Sequence, residues 1–446
     1  MKEKTQIQLS DHFTYSRLIR FTLPSIAMMI FTSVYGVVDG LFVSRFAGKV
    51  PFAAINLVMP LLIIMGAVGF MLGAGGTAIV SKTLGMKRKQ LANEYFSLLV
   101  YVTAALGVIL GAVGIIFARP VSSFLGAEGE MLDYCTTYAR IVLLALPFFM
   151  LQNIFQSLFI AAEKPKLGLL VTVGAGVTNM VLDALFVGLF EWGLVGAAVA
   201  TAISQFVGGI VPVIYFSREN TSLLRLVRTK FYGKMLFDAC VNGSSELMSN
   251  IAMSVVTIFY NAQLMRFAGN DGIAAYGVIM YVAFVFVAIF IGFSIGSAHV
   301  IGYHYGADNR DELKNLRNKG FLSMIVCGVA MLALSIALAV PLCKLFVGYD
   351  EGLYLMTLRG FIIYAFSYLL AGINIFGSAF FTALNNGVIS AVISFLRTLL
   401  FQCLTVILLP MIFELDGVWF SIIVSEILSC AVTLAFVVAN RKKYGY

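Results

Sequence analysis

The chain has 446 residues, of which 60% are apolar and 12% charged, and its mean hydropathy is +0.95. This composition excludes a soluble domain and predicts a multi-pass membrane protein. The net charge of +8 does not indicate nucleic-acid binding, because the lysines and arginines lie between apolar runs rather than in one patch.

The apolar runs predict an all-α integral membrane protein. Runs of about 20 apolar residues recur along the whole chain without the alternation of a β-barrel, so helices are expected to span the bilayer. About twelve spans are predicted. Their centres lie near Met29, Ile64, Gly107, Leu146, Gly176, Gln205, Ser254, Ala288, Leu332, Leu369, Leu399 and Leu428.

Span 1 contains the first two candidate functional residues, Pro24 and Asp39. Pro24 removes a backbone hydrogen bond, which predicts either a point where the helix bends during function or a static kink. Asp39 lies about seven residues before the external end of the span, so the sequence places a carboxylate inside the membrane.

Span 5 carries the strongest polar signal. Asn179 and Asp183 are four residues apart and therefore share one face of a helix. A carboxylate at this depth costs roughly 2.5 to 3.5 kcal/mol on insertion, so it must face a polar interior or a water-filled cavity. This predicts a functional site, and the alternative is a buried acid that a partner satisfies for packing specificity.

Asp39, Asp183 and Thr201 of span 6 are predicted at one depth, about 10 Å below the outer surface at 1.5 Å per residue. With Asn179 they form a set of oxygen donors that suits Na⁺ if the helices bring them together. Two neighbouring carboxylates in a low dielectric could equally share a proton. The sequence leaves both ions open, and it also allows Asp39 and Asp183 to lie on separate faces.

The second half of the chain carries three further charges in apolar runs: Glu246, Arg397 and Glu426. Glu246 and Arg397 are predicted at similar depths from the inner side. These charges are interpreted either as a structural ion pair or as a polar transport site.

An internal repeat organises the whole chain. Arg45-Phe46-Ala47-Gly48 recurs as Arg266-Phe267-Ala268-Gly269, a displacement of 221 residues (266 − 45). Pairs with the same displacement are Gly75 and Gly296, Gly85 and Gly306, Asn153 and Asn374, Gly196 and Gly417, and Ser204 and Ser425. Each half holds six spans and returns to its starting side, so the halves are predicted to be parallel repeats related by an axis along the membrane normal.

The positive-inside rule sets the predicted orientation and domain limits. The basic connectors alternate with acidic or nearly neutral ones, which places the basic set and both termini in the cytoplasm. The predicted domains are a cytoplasmic N-terminal segment (1–16), an N-lobe (17–217), a cytoplasmic linker (218–233), a C-lobe (234–440) and a cytoplasmic tail (441–446).

Three segments resemble the multidrug and toxic compound extrusion (MATE) family. They are the Pro24 span ending in Val38-Asp39-Gly40-Leu41-Phe42-Val43, the segment from Gly73-Ala74-Gly75-Gly76 to Gly85, and Asn179-x-x-x-Asp183 followed by Gly196-Ala197-Ala198-Val199-Ala200-Thr201. The likeness covers nearly the whole chain. Resemblance to prokaryotic members implies that Asp39, Asn179, Asp183 and Thr201 form the cation site of the N-lobe. Glu246 also matches an acid of some members, whereas span 10 offers Asn374 where some members carry a carboxylate.

The resemblance implies a secondary multidrug efflux antiporter that exports cationic amphipathic compounds in exchange for Na⁺ or H⁺ by alternating access. We expect no cofactor beyond this ion, a monomer, and a bacterial or archaeal inner (cytoplasmic) membrane location. The alternative is a lipid-linked saccharide flippase of the same superfamily, which would be expected to present cavity-facing cations. An enzyme is not expected, because the sequence lacks a nucleophile–base pair or metal cluster at depth.

Overall fold

A computed structural model of the protein describes residues 7–46 and 48–446, apart from the side chains of residues 37, 39–41, 44, 45 and 49. This part of the chain is helical and contains no β-strand. The helices of the first half are α1 (Tyr15–Phe46), α2 (Lys49–Gly85), α3 (Lys89–Phe124), α4 (Gly129–Leu144), α5 (Leu146–Ala161), α6 (Pro165–Asp183) and α7 (Gly193–Ser217). Those of the second half are α8 (Gly233–Gly306), α9 (Arg310–Val347), α10 (Glu351–Ala365), α11 (Tyr368–Ala383), α12 (Gly387–Phe395), α13 (Gln402–Leu408), α14 (Pro410–Ala439) and α15 (Arg441–Tyr444).

The predicted number of membrane spans is confirmed. Within the described residues, nine helices are long and apolar enough to cross a bilayer, and the bent pairs α4–α5 (55°) and α10–α11 (48°) bring the number to eleven. The 74-residue helix α8 is broken at Gly269, where φ is 60° and ψ is −146°, so each of its two arms is long enough to cross. Counting both arms gives the twelve spans expected from the sequence.

The turns between spans confirm the internal repeat. Gly48 and Gly269 both have positive φ, as do Lys87 and Asp308, and both pairs are displaced by 221 residues (269 − 48 and 308 − 87). Later turns also adopt positive φ in matching places, but their displacement grows slightly. It is 222 for Glu163 and Asn385, and 223 for Glu191 and Glu414. The two halves therefore share one fold and differ by two residues of connector length.

Helices α2 and α8 join the two halves by direct backbone contact. A Cβ built on Gly85 would lie 1.9 Å from the Tyr303 carbonyl oxygen, and one built on Gly306 would lie 2.0 Å from the Lys82 carbonyl oxygen. These contacts are equivalent under the 221-residue displacement, so they meet at the pseudo-two-fold axis. Since neither position has room for a side chain, glycine is what allows the helices to meet.

Both chain ends lie on the face that contains this contact, which we call the termini face. The Phe13 N–H donates to Glu312 Oε1 (2.8 Å) beside the α8–α9 turn. The Asn386 side chain of the α11–α12 turn donates to the Tyr444 hydroxyl (2.8 Å). The termini face is therefore closed around the Gly85–Gly306 contact.

Replacing Gly85 by alanine should destabilise this arrangement by about 1 to 3 kcal/mol, because the added methyl group must displace backbone rather than a flexible side chain. We expect a lower midpoint of thermal unfolding in detergent. Gly174→Ala is the matched control, since a Cβ there meets no atom within 4 Å and alanine favours the helix. Equal midpoints for the two variants would show that the backbone contact contributes little.

Candidate functional site

Asn179 of α6 and Thr201 of α7 line one cavity in the N-lobe, as the spacing predicted. The cavity has a volume of about 220 Å³. Its polar wall consists of Asn179, Thr201, Ser204 and Gln205, and residues such as Met59, Leu146 and Phe149 form the apolar wall. Asn179 is nearly completely buried. The structure therefore brings two of the four predicted cation-site residues together.

Asp183 lies at the C-terminal end of α6, one helical turn beyond Asn179, and is fully buried. The helix changes to a π-helical segment, Ala184–Leu189, directly after this residue. Insertions of this type change the direction of the side chains around them and occur frequently at functional sites. Asp183 does not line the N-lobe cavity itself, so its participation in a common site with Thr201 stays a prediction.

Asp39 lies in α1, but its side chain falls outside the described residues. Helices α1 and α6 pack closely one turn earlier, where a Cβ on Gly176 would lie 2.5 Å from the Phe31 ring. Helix α1 also contacts the π-helical segment that follows Asp183. The convergence of the Asp39 and Asp183 carboxylates remains a prediction.

Two amide oxygens in this region lack hydrogen-bond donors among the described residues: Asn179 Oδ1 and Gln205 Oε1. Burying a polar atom without a partner costs about 1 to 3 kcal/mol, so such atoms are suited to bind a cation or a proton donor. The sequence reasoning missed Gln205. Its signal is the four-residue spacing from Thr201 on α7, which places both side chains on one helix face.

A second cavity, of about 380 Å³, lies between α1 and the C-lobe. Met29 and Ser33 of α1 form one wall, while Glu246, Arg397 and Glu426 supply its charged groups. Much of the remaining surface is aromatic or methionine. These residues are Met253, Tyr260, Tyr276, Met280, Phe284, Tyr364 and Tyr368.

Arg397 and Glu426 form a buried ion pair in this cavity. The Arg397 guanidinium donates from Nη2 to Glu426 Oε1 (2.8 Å) and from Nε to Oε1 and Oε2 (3.0 and 3.1 Å). The Asn374 amide donates to Glu426 Oε2 (2.6 Å), so the carboxylate is held from both sides. Arg397 lies in the second π-helical segment, Leu396–Phe401. Three of the four predicted C-lobe residues therefore form one cluster.

Glu246 differs from Glu426 although both line the same cavity. Its side chain makes no hydrogen bond or ion pair with any residue in the described ranges, and it is exposed to the cavity space. Arg397, which the sequence places at the depth of Glu246, is instead committed to Glu426. Glu246 is thus available to bind a cation that enters the cavity.

Pro24 lies inside α1, and this helix is continuous from Tyr15 to Phe46. The surrounding turns pack against α8, since a Cβ on Gly292 would lie 2.5 Å from the Ile26 backbone and one on Gly296 would lie 2.9 Å from the Thr22 side chain. A functional bend at Pro24 remains a prediction.

A family model described as MatE matches residues 24–185 and again residues 247–408. The chain belongs to the MatE family. The double match covers both halves, so the resemblance and the two-lobe repeat are both confirmed. MatE proteins are transporters, which confirms that the chain is not an enzyme, and the apolar helices make it a multi-pass membrane protein.

Comparisons with individual MatE proteins extend over the full chain. It is 26% identical over 449 residues to the multidrug export protein MepA of Staphylococcus haemolyticus (strain JCSC1435), covering 99% of this chain and 97% of the relative. Its fold matches a crystal structure described as MATE in the straight conformation with a TM-score of 0.93, at 20% identity and complete coverage of both chains. The TM-score to a MATE crystal structure in the bent conformation is 0.89, at 21% identity and again with complete coverage.

Replacing Arg397 by glutamine should strongly destabilise the protein, because it leaves the Glu426 carboxylate buried without its cation. Loss of one partner of a buried pair costs about 3 to 5 kcal/mol. We expect a lower midpoint of thermal unfolding in detergent, recovered in part by the double variant Arg397→Gln and Glu426→Gln. The exposed pair Arg119–Asp133 (2.8 Å) is the control, and Arg119→Gln should change the midpoint little. Similar midpoints for Arg397→Gln and Arg119→Gln would contradict a structural role for the buried pair.

Proposed function

We propose that the chain is a secondary active multidrug efflux antiporter, which exports cationic amphipathic compounds in exchange for Na⁺ or H⁺. One observation carries the proposal: α1 lines both cavities. It contributes Tyr35 and Gly36 to the N-lobe cavity, and Met29 and Ser33 to the cavity beside the C-lobe. A change at the ion site can therefore reach the substrate cavity through a single helix. The name of the MepA relative supports multidrug export as the process.

The proposed ion site consists of Asp39, Asn179, Asp183 and Thr201. The oxygen atoms of Asn179 and Thr201 already share a cavity, and Asn179 Oδ1 needs a partner. Carboxylate, amide and hydroxyl oxygens are ligands that Na⁺ accepts, and a pair of carboxylates can alternatively hold one proton. Either ion would remove the cost of the buried Asp183 charge when it binds.

The proposed substrate site is the cavity beside the C-lobe. Glu246 supplies a negative charge without a partner among the described residues, and the methionine and aromatic side chains around it adapt to apolar groups of different shapes. Aromatic faces also attract organic cations. A compound with a positive charge and a large apolar body matches this chemistry.

The proposed cycle is alternating access. The packed contact between Gly85 and Gly306 closes the termini face, so in this conformation the substrate would leave from the opposite face. Ion binding must favour one arrangement of the lobes over the other, because a ligand with equal affinity for both states shifts nothing. We propose that the protein is a monomer in an inner membrane of a bacterium or archaeon, with its basic connectors and both termini in the cytoplasm.

A flippase for lipid-linked saccharides is the competing function. A negatively charged lipid phosphate would require cations that are free to bind it. The one cation among the described lining residues of the substrate cavity is Arg397, which already pairs with Glu426. The charge balance of this cavity therefore favours cationic substrates.

The ion site predicts the effect of Asp183→Asn. The variant should fold but lose at least tenfold in efflux of a fluorescent cationic dye from proteoliposomes, because the neutral amide cannot exchange a cation or proton in the same way. Na⁺ and pH gradients imposed separately identify the coupling ion. The exposed acid Asp133 provides the control, and Asp133→Asn should transport normally. Normal transport by Asp183→Asn would exclude this residue from coupling.

The substrate cavity predicts the effect of Glu246→Gln. Its dissociation constant for a cationic dye should rise at least tenfold, because an organic cation loses its carboxylate partner. The control is Glu351→Gln, at an exposed acid at the start of α10 in the same lobe. Dye fluorescence polarisation with the purified protein measures both constants, and unchanged affinity in Glu246→Gln would rule out this carboxylate as the cation's partner.

A further inference from the structure

The pseudo-two-fold axis gives the termini face two equivalent crevices between the lobes. Residues 7–14 occupy the first. Leu9 and Phe13 are completely buried there. The Leu9 N–H donates to Glu163 Oε1 (2.6 Å) in the N-lobe, and the Phe13 N–H donates to Glu312 Oε1 (2.8 Å) in the C-lobe. This segment therefore bridges the two halves.

The second crevice is open, with a volume of about 710 Å³. The displacement of 221 residues relates Phe13 to Lys234 and Tyr303 to Lys82, and both lysines line this space. The turn residue Asn385, the counterpart of Glu163, lines it as well. The linker before α8 is the counterpart of residues 7–14, but it forms a wall of the crevice and leaves the interior unfilled.

The crevice has a different charge from its counterpart. The first crevice receives backbone N–H groups on two carboxylates, whereas the second presents the ammonium groups of Lys82 and Lys234. Helix α8 also begins at Gly233 in this crevice without a side-chain cap, so its first N–H groups can donate to an anion. These donors fit a phosphate group.

Two acceptors restrict the ligand further: the Asp238 carboxylate and Asn242 Oδ1. Asn242 is 2% exposed, and its Nδ2 donates to the carbonyl oxygens of Gly75 (3.3 Å) and Thr382 (2.9 Å). Its Oδ1, however, has no donor within the described ranges. A headgroup with hydroxyl groups would satisfy both acceptors while its phosphate contacts the lysines.

The rim of the crevice indicates that the phosphate belongs to a lipid. Phe237 on α8 is 68% exposed and Val388 on α12 is 63% exposed, and both residues line the crevice. Both lie in the first turn or two of helices that enter the membrane. Apolar side chains in this position suit acyl chains that run from the crevice into the bilayer.

We propose that this crevice binds one anionic phospholipid. The phosphate lies between Lys82 and Lys234, and the hydroxyl groups of a glycerol headgroup face Asp238 and Asn242. The bound lipid occupies the place that residues 7–14 fill on the other side of the axis. It therefore contacts both lobes and stabilises the closed termini face, whatever the transported substrate is.

Lipid binding is measured by native mass spectrometry on the full chain in detergent. The probes are phosphatidylglycerol, phosphatidylcholine with the same acyl chains, and soluble glycerol 3-phosphate. One phosphatidylglycerol should bind per chain in preference to the other two. Each of Lys82→Gln and Lys234→Gln should weaken its binding about fivefold. Lys82→Arg keeps the charge and should retain binding, while Lys166→Gln removes an exposed lysine beside the first crevice and should have no effect.

Folding is checked by the midpoint of thermal unfolding without added lipid, which should be the same for Lys166→Gln and the crevice variants. Phosphatidylglycerol should then raise the midpoint of the wild type and of Lys166→Gln more than that of Lys82→Gln. Equal binding of phosphatidylcholine, or equal losses in Lys166→Gln and Lys82→Gln, would overturn the proposal. Binding of soluble glycerol 3-phosphate as tight as that of the lipid would also overturn it, because the site would then recognise a free phosphate.

Discussion

The backbone contact between α2 and α8 is the constraint on which the rest of the structure depends. At Gly85 and Gly306 each helix touches the other's carbonyl oxygens, and no side chain fits between them. Because the contact lies on the pseudo-two-fold axis, it fixes how two similar lobes face each other. The two crevices of the termini face then follow as symmetric spaces on either side of the axis. Opening this face requires the two helices to separate, so their packing stabilises the closed arrangement.

The two lobes share a fold but have different chemistry. In the N-lobe, oxygen atoms of Asn179 and Thr201 face a small cavity near the end of α6. In the C-lobe, the guanidinium of Arg397 already neutralises Glu426. A protein cation thus holds a position that a mobile ion could otherwise occupy, which concentrates the proposed coupling chemistry in the N-lobe. Helix α1 connects that chemistry to the larger cavity, since it forms part of both walls.

Sequence reasoning predicts the features that depend on periodicity and length. The twelve spans, the two halves and the shared face of Asn179 and Asp183 all follow from spacing along the chain. It does not predict which residues meet across helices, because depth is readable from sequence and rotation about the helix axis is not. Arg397 and Glu246 were placed at one depth, yet Arg397 pairs with Glu426. The π-helical segments after Asp183 and around Arg397 also change side-chain directions in ways that a regular helical repeat cannot give.

The central claim is that an ion bound near Asp183 changes how the two lobes are arranged. It is tested most directly by measuring distances between spin labels on the termini face, at Lys89 in the N-lobe and Lys314 in the C-lobe, with the six native cysteines replaced. Both sites are exposed. The account predicts that Na⁺ or a change of pH alters this distance distribution in the wild type and leaves it unchanged in Asp183→Asn. A distribution that responds equally in both proteins, or in neither, would contradict it.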